Sequence, residues 1–354
     1  MNTFLTVVTA ILVFGFLIFI HEFGHYITAR IFKVRIEEFS IGMGPRLFWY
    51  TSKKTGIKYS LAMLPIGGFV SMPGENGEDE EYKDDPNTFG KKPAWQRFII
   101  TAAGATVNIV AGFLAMIILT SLINIGDTTV GDFYDSSEIG SEISSEASGL
   151  RVGDEIIAVD GKRVRILDDL SYEIMRRGYE PIDITVIRDG EEMTLKDVAF
   201  PSETQQGQTF GIRDFKVYAV DKTVGSVLKY SWFKGTLIVR MVWESIYDLI
   251  TGRYTFAAVS GPVGISSAIG DAVSQGFASV LYIAVLISIN LGVMNLLPIP
   301  ALDGGRLLTL LIEMVTRRKL PPKVEGIING VGLALLLGLS LVIMVKDVIQ
   351  LIVG

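Results

Sequence analysis

Both histidines of the chain fall in one short stretch, IHEFGH, four residues apart and with a glutamate directly after the first. At helical spacing His21 and His25 share a face, close enough to grip one metal ion. Glu22 lies about 100° round the same helix, within reach of a water bound to that metal. This is the chemistry of a zinc hydrolase: the metal lowers the pKa of its water, and the carboxylate takes the proton as the oxygen attacks a carbonyl. His-Glu-x-x-His arises by chance in long chains, yet two randomly placed histidines take this spacing only about once in 180 arrangements. The setting weighs more. Residues 11–20 carry no polar side chain, and ionisable groups within a membrane span are costly and normally retained for function.

A catalytic zinc takes three protein ligands and keeps its fourth position for water. With His 2 and Cys 0 the third ligand must be a carboxylate. Asp303, in NLLPIPALDGGRL, stands out among the scarce charges of the other apolar segments. Counting from Thr3, His21 lies about 27 Å along its helix, toward the far end of the span. Asp303 comes late in a segment that crosses in the same direction, so it reaches a similar depth. An Asp before Gly-Gly and after a proline break could instead cap a helix. Glu313, beside a basic loop, is the competing carboxylate.

The elements that must carry these groups are apolar. Of 354 residues, 49% are hydrophobic and 20% charged, too apolar for an ordinary soluble domain. The net charge of −6 argues against a nucleic-acid partner. Absence of cysteine excludes disulfides, zinc–thiolate sites and iron–sulfur clusters. The N-terminus lacks a basic leader and a small-x-small cleavage site, which predicts a retained first span instead of a removable signal peptide.

Four segments are long enough to span a bilayer: residues 3–26, 95–123, 277–311 with a break at Pro298 and Pro300, and 328–351. The loop after the first carries Arg30, Lys33, Arg35, Arg46, Lys53, Lys54 and Lys58, and the loop before the last carries Arg317, Arg318, Lys319 and Lys323. Two basic loops on one side predict that side to be cytoplasmic, with the acidic segment between spans two and three outside. The expected divisions are 1–31 for the first transmembrane helix, 32–94 for a cytoplasmic loop, 95–125 for the second helix and 126–215 for an outer domain. A surface helix with a linker follows at 216–274, then the third segment at 275–316, a cytoplasmic loop at 317–327 and the fourth helix at 328–354.

In the outer segment, SGLRVGDEIIAVDGKRV (residues 148–164) predicts a strand at Ile156, Ile157 and Val159, and a tight turn at Asp160-Gly161. A helical pattern at 167–177 and a β-branched strand at 182–187 follow. The stretch from Gly149 to Gly161 matches Gly-Leu-x-x-Gly-Asp-x-Ile-x-x-Val-x-Gly and resembles a PDZ domain. Such a domain could capture a new C-terminal carboxylate on the amides of Val130, Gly131, Asp132 and Phe133, or act as a filter against bulky outer domains; the filter is the expectation. Between 222 and 250, Lys229, Lys234, Arg240, Glu244 and Asp248 fall within roughly 140° at helical spacing, leaving a broad apolar face. Five charges predict a helix lying along the membrane surface, with a fifth span as the competing reading. Residues 57–72, IKYSLAMLPIGGFVSM, read as two short strands broken by Pro65, Gly67 and Gly68, too apolar for an exposed hairpin and expected to dip into the membrane. The acidic run after them reads as a solvated loop without chemistry.

Taken together, His-Glu-x-x-His in the first span, Asn-x-x-Pro-x-Pro-x-Leu-Asp-Gly at residues 295–304 and a PDZ-like segment between spans resemble the site-2 protease family of intramembrane zinc metalloproteases, of the bacterial regulator-of-sigma-E protease type. SGPVGI at 260–265 and GGFVSMPGE at 67–75 are similar to segments of that group, the latter to its membrane-reentrant β-loop. The implied architecture is a polytopic α-helical membrane protein with four transmembrane helices, a membrane-reentrant β-hairpin at 57–72 and one extracytoplasmic PDZ domain of α+β type. The resemblance implies one Zn2+ per chain held by His21, His25 and Asp303, with Glu22 as general base. It implies substrate contacts at Asn108, in the second-span Gly-x-x-x-Asn motif, at Gly67, Gly68 and Phe69, and at Asn295, Pro298 and Pro300. Two departures stand out: Ala105 occupies a position where proline is common, and Arg306 one where histidine often follows Asp-Gly-Gly.

The implied substrates are single-span membrane proteins, anti-sigma factors or signal-peptide remnants already trimmed by an upstream site-1 protease. The implied place is the bacterial cytoplasmic (inner) membrane, in contact with the lipid bilayer, with the active site toward the cytoplasm. A helix in lipid has every backbone group internally paired, so its peptide bonds become accessible only on unwinding. The 57–72 strands could hold the unwound segment by β-addition. A catalytically inactive PDZ-bearing scaffold or chaperone with a structural metal is the alternative. A zinc transporter is disfavoured, since only Glu22 and Asp303 could line its path.

Overall fold

The computed structural model describes residues 3–75, 80–82, 84–135, 145–205, 208–253, 259 and 261–353. In chain order the elements are α1 (Thr3–Ile31), β1 (Glu38–Thr51), β2 (Lys58–Ser71), α2 (Ala94–Leu122), β3 (Gly126–Phe133), β4 (Glu155–Val159), β5 (Lys162–Arg163), α3 (Leu167–Arg177), β6 (Ile182–Arg188), β7 (Glu191–Val198), β8 (Ser202–Gln205), β9 (Gln208–Gly211), β10 (Phe215–Ala219), α4 (Val224–Thr251), α5 (Pro262–Gln275), α6 (Phe277–Leu296), α7 (Asp303–Thr316) and α8 (Pro322–Val353). Two compact units result: Met1–Leu114 with Val259–Gly354, and Ala115–Ala258. Among the described residues, Phe4–Ile31, Ala94–Leu122, Phe277–Leu296 and Lys323–Ile349 are long and apolar enough to cross a membrane, which fits a polytopic membrane protein.

In the first unit β1 and β2 each bend and so form four short runs. Residues 46–51 pair antiparallel with 58–62; residues 38–41 run parallel to 58–61 and antiparallel to 68–71. The two arms expected to make a hairpin at 57–72 are thus held apart, with 38–41 paired between them. Residues 38–51 fall in the 32–94 segment expected to be a cytoplasmic loop, and they form a strand although Gly42, Gly44 and Pro45 are residue types that break strands. Here the two glycines, both at positive φ, bend the strand instead of ending it. The run 68–71 is left as an outer edge of the sheet. Ser260 of SGPVGI lies outside the described residues, while Gly261 caps α5 and Pro262 begins it, so that segment opens a helix where a linker was expected.

α6 ends at Leu296, and the chain turns tightly through Leu297, Pro298, Ile299 and Pro300 before α7 begins at Asp303. Prolines disfavour the helical region for the residue before them, which is why the apolar segment breaks here. A Cβ at Gly305 would stand 2.5 Å from the Ile299 carbonyl oxygen, and one at Gly304 would overlap the Leu297 carbonyl. The Gly-Gly after Asp303 therefore lets α7 fold back against its own entry turn.

The second unit carries a six-stranded sheet in the order β10-β3-β4-β6-β7, with β5 beside β4. Its core is Val130, Leu150, Ile156, Val159, Leu170, Ile174, Ile184, Val186 and Phe215, all buried. β6 alternates inward and outward, as its β-branched sequence predicts. Val130, Asp132 and Phe133 lie on β3 and pair with β10, and the Val130 N–H donates to the Asp154 carbonyl. The Phe133 N–H instead donates to Asp132 Oδ1 at 3.0 Å, so the amides of Val130 and Phe133 both already have acceptors. The charges of α4 find partners within this unit as well. Lys234 pairs with Asp168 at 3.0 Å, Arg240 with Glu173 at 3.0 Å, Glu244 with Lys162 at 2.9 Å, and Asp248 with Arg176 at 2.5 Å. That polar face docks on α3 and β5. Val224, Leu228, Trp232, Trp243 and Ile250 of the same helix are exposed.

Candidate active site

α1 carries both histidines, and the first unit folds Asp303 onto them. Asp303 Oδ2 lies 3.2 Å from His21 Nε2 and 3.4 Å from His25 Nε2, and the two Nε2 atoms are 3.3 Å apart. The ligand atoms of all three residues lie within 4.8 Å of one another. Leu302, not Asp303, is the N-cap of α7, so the aspartate side chain is left for the histidines. Glu313 is engaged elsewhere, with Arg97 at 2.5 Å.

Proton positions decide whether this cluster fits a cation. His25 Nδ1 is 2.8 Å from the Ile100 carbonyl oxygen. A carbonyl only accepts, so Nδ1 bears the hydrogen and Nε2 of the neutral ring is a lone pair. That lone pair faces His21 Nε2 and a carboxylate oxygen, so a cation among the three would be bound by all of them. Two imidazoles and one carboxylate are a donor set suited to zinc, with room for a fourth position.

α1 and α2 meet through small residues. A Cβ at Gly24 would lie 2.5 Å from the Ala103 carbonyl oxygen, and one at Gly104 would lie 2.7 Å from Cε1 and 2.9 Å from Cδ2 of His25. Such small-residue contacts let helix backbones approach closely within a membrane. Glu22 is buried on the same helix, beside the outer run 68–71: a Cβ at Gly68 would lie 2.7 Å from Glu22 Cγ.

A profile of peptidase family M50 matches residues 9–339. The chain belongs to peptidase family M50. It is 34% identical over 348 residues to a Clostridium acetobutylicum protein named "Putative zinc metalloprotease", covering 98% of each chain. It is 30% identical over 419 residues to the zinc metalloprotease RasP of Geobacillus kaustophilus, covering 98% of each chain. It is 27% identical over 423 residues to the regulator of sigma-W protease RasP of Bacillus subtilis, covering 97% of this chain and 98% of that one. It is therefore a metalloprotease of the site-2 protease family, with zinc as its cofactor, and a catalytically inactive scaffold is not favoured.

Within this M50 chain the donors open onto a cavity of about 420 Å³, lined among others by His21, Glu22, His25, Gly68, Phe69, Glu75, Asp303 and Arg306. Among the described residues, Gly67, Asn295, Pro298 and Pro300 do not line it. Asn108 is fully buried, its Nδ2 3.4 Å from His21 Nδ1. Sequence reasoning missed Glu75 and Ile100, saw Gly104 only as the glycine of the Gly-x-x-x-Asn motif, and noticed Arg306 only as a departure from pattern. Arg306 Nη1 donates to Glu75 Oε1 at 2.5 Å, Nη2 donates to the Glu75 carbonyl, and the guanidinium stacks over Phe89. Burial pushes the Glu75 carboxyl above its usual range, against the opposing pull of Arg306. The GGFVSMPGE segment offered a signal for Glu75. Nothing in the sequence marks a backbone carbonyl such as that of Ile100.

Proposed function

We propose that this protein is an intramembrane endopeptidase that hydrolyses peptide bonds in or near the transmembrane segment of single-span membrane proteins. His21, His25 and Asp303 hold one zinc ion and Glu22 is the general base. The observation that carries the reading is the meeting of three potential metal-ligand atoms, from His21, His25 and Asp303, beside a buried carboxylate on a membrane-length helix. Bound zinc supplies Lewis acidity, lowering the pKa of water to about 7 and polarising a carbonyl. Glu22 takes the proton of the attacking water and returns it to the departing amide nitrogen, a role typically worth about 10²–10⁴-fold.

The edge run 68–71 abuts Glu22 and is the element on which an unwound substrate would pair by β-addition, with Gly68 and Phe69 against it. Gly67, Asn295, Pro298 and Pro300 serve by shaping the bends that set this edge and Asp303. The sheet of the second unit, with the Gly149 to Gly161 pattern, is read as an extracytoplasmic PDZ domain that filters substrates by size. The Val130 and Phe133 N–H groups already have acceptors, the Asp154 carbonyl and Asp132 Oδ1, which supports the filter over carboxylate capture on those two amides. α4 lies on the membrane with its exposed tryptophans toward lipid. The site faces the cytoplasmic side of a bacterial inner membrane, and the sheet of β1 and β2 dips into the bilayer from that side. One relative is named for regulating sigma-W, which supports anti-sigma factors pre-trimmed by a site-1 protease as the substrate class, with signal-peptide remnants as a second.

The test is Glu22→Gln in the full-length protein, with zinc content and cleavage of a trimmed substrate span measured side by side. Zinc should remain while cleavage falls about 10²-fold or more. Retained cleavage removes Glu22 from the mechanism.

A further inference from the structure

One stripe of α2 reaches both histidines. Ile100, Gly104 and Asn108 recur at four-residue spacing, and such residues share a helix face. The first accepts the Nδ1–H of His25 through its carbonyl at 2.8 Å. The second leaves room for the His25 ring, since a side chain there would overlap it. The third lies against the other histidine, with Nδ2 3.4 Å from His21 Nδ1.

That last contact has the wrong polarity. If His21 offers the lone pair of Nε2 to a metal, its Nδ1 carries hydrogen and needs an acceptor. The Asn108 atom facing it is an NH2 group, also a donor. Meanwhile Asn108 Oδ1 is buried and accepts no hydrogen bond. A half-turn of the amide exchanges two atoms of nearly equal size and removes both faults: Oδ1 takes the Nδ1–H of His21. The Asn108 backbone is fixed independently, its carbonyl accepting from Ser288 Oγ at 2.8 Å.

We propose that Asn108 is a positioning residue for His21, its side-chain oxygen accepting the Nδ1–H so that Nε2 is held toward the metal. The role departs from the substrate contact that the family resemblance implied, because the side chain is fully buried and offers no surface to a substrate. It rests on the reading of His21, His25 and Asp303 as metal ligands given above. The same logic makes Ile100 the equivalent for His25, so a single helix orients both imidazoles. Groups that orient a metal-bound histidine typically change metal affinity about 10–100-fold when removed.

The test reads zinc affinity by chelator competition on the purified full-length protein. Asn108→Asp preserves volume and acceptor but has no donor; Asn108→Leu preserves bulk and has neither. Asn108→Asp should bind zinc at least as tightly as the parent, and Asn108→Leu about 10–100-fold more weakly. Tenfold weaker zinc in Asn108→Asp, or parental affinity in Asn108→Leu, overturns the assignment. If the leucine variant does not fold, the aspartate variant alone decides. His21→Ala is run alongside: parental zinc affinity there means that the metal site itself is misread, a failure distinct from that of Asn108.

Discussion

Gly104 of α2 faces the imidazole of His25 with no room between them for a methyl group. A Cβ there would lie 2.7 Å from Cε1 and 2.9 Å from Cδ2 of the ring, far inside contact distance. Gly24 of α1 meets the Ala103 carbonyl just as closely. Gly104→Ala should therefore displace His25 and weaken zinc about 10–100-fold, as loss of an orienting contact does. Gly338→Ala is the control, because nothing lies within 4 Å of a Cβ built there. That variant should keep its zinc and its proteolytic rate. Metal content after dialysis against a weak chelator distinguishes the two.

Arg306 joins the segment after β2 to α7, three residues beyond Asp303, by grasping Glu75 through both its side chain and its carbonyl. Arg306→Leu removes two hydrogen bonds and leaves a largely buried carboxylate without its cation. Hydrogen bonds to charged groups are worth about 1.5–3 kcal/mol, so thermal stability should fall by that order. Arg306→Leu combined with Glu75→Leu should recover part of it, since the orphaned charge is gone. Melting temperatures of the two single variants and the double variant complete the cycle, and strict additivity would show that the pair is not coupled.

The grouping of His21, His25 and Asp303 was legible in the sequence because membrane spans are poor in ionisable groups, so these residues and Glu22 stand out by cost. Ile100 was not legible as part of the site, and Gly104 was visible only as the glycine of the Gly-x-x-x-Asn motif, not as the neighbour of His25. A glycine in a span otherwise reads only as a packing residue, and a carbonyl has no sequence signature at all. β1 was hidden by Gly42, Gly44 and Pro45, which mark a bend within a strand here and a loop in most chains. The charges of α4 were visible, but a period of 3.6 reports only that they share a face. Whether that face meets water or Asp168, Glu173 and Arg176 depends on tertiary packing.

Those α4 charges give the second unit an acid-sensitive joint. Asp248 is 1% exposed and held by Arg176, so Arg176→Ala leaves a buried charge unpaired, at about 3–5 kcal/mol. Burial alone would raise the Glu244 carboxyl, but hydrogen bonds from Lys162 and Tyr172 outweigh it and hold the group below the usual range. A depressed folded pKa gives stability that is complete above the ordinary value of 4.5 and is lost as pH falls through the folded value. Hydrogen exchange on α3 and α4 should accelerate below that pH, and Glu244→Gln should flatten the dependence. An exchange profile unchanged by Glu244→Gln would place the acid sensitivity elsewhere.

A size filter and a carboxylate receptor make opposite demands on the sheet of the second unit. A filter acts by exclusion, so its removal should admit substrates that still carry bulky outer domains. A receptor acts by attraction, so its removal should slow the cleavage of every substrate. Deletion of residues 127–214 separates these, with a short flexible linker in place of the sheet so that α2 and α4 remain joined. Cleavage of an untrimmed single-span substrate should then rise above background while that of the trimmed form stays near the parental rate. Zinc content, measured on the same preparation, shows whether the first unit has survived the deletion. A fall in both rates with zinc retained would assign the sheet to substrate capture, through backbone other than the Val130 and Phe133 amides, which already have acceptors.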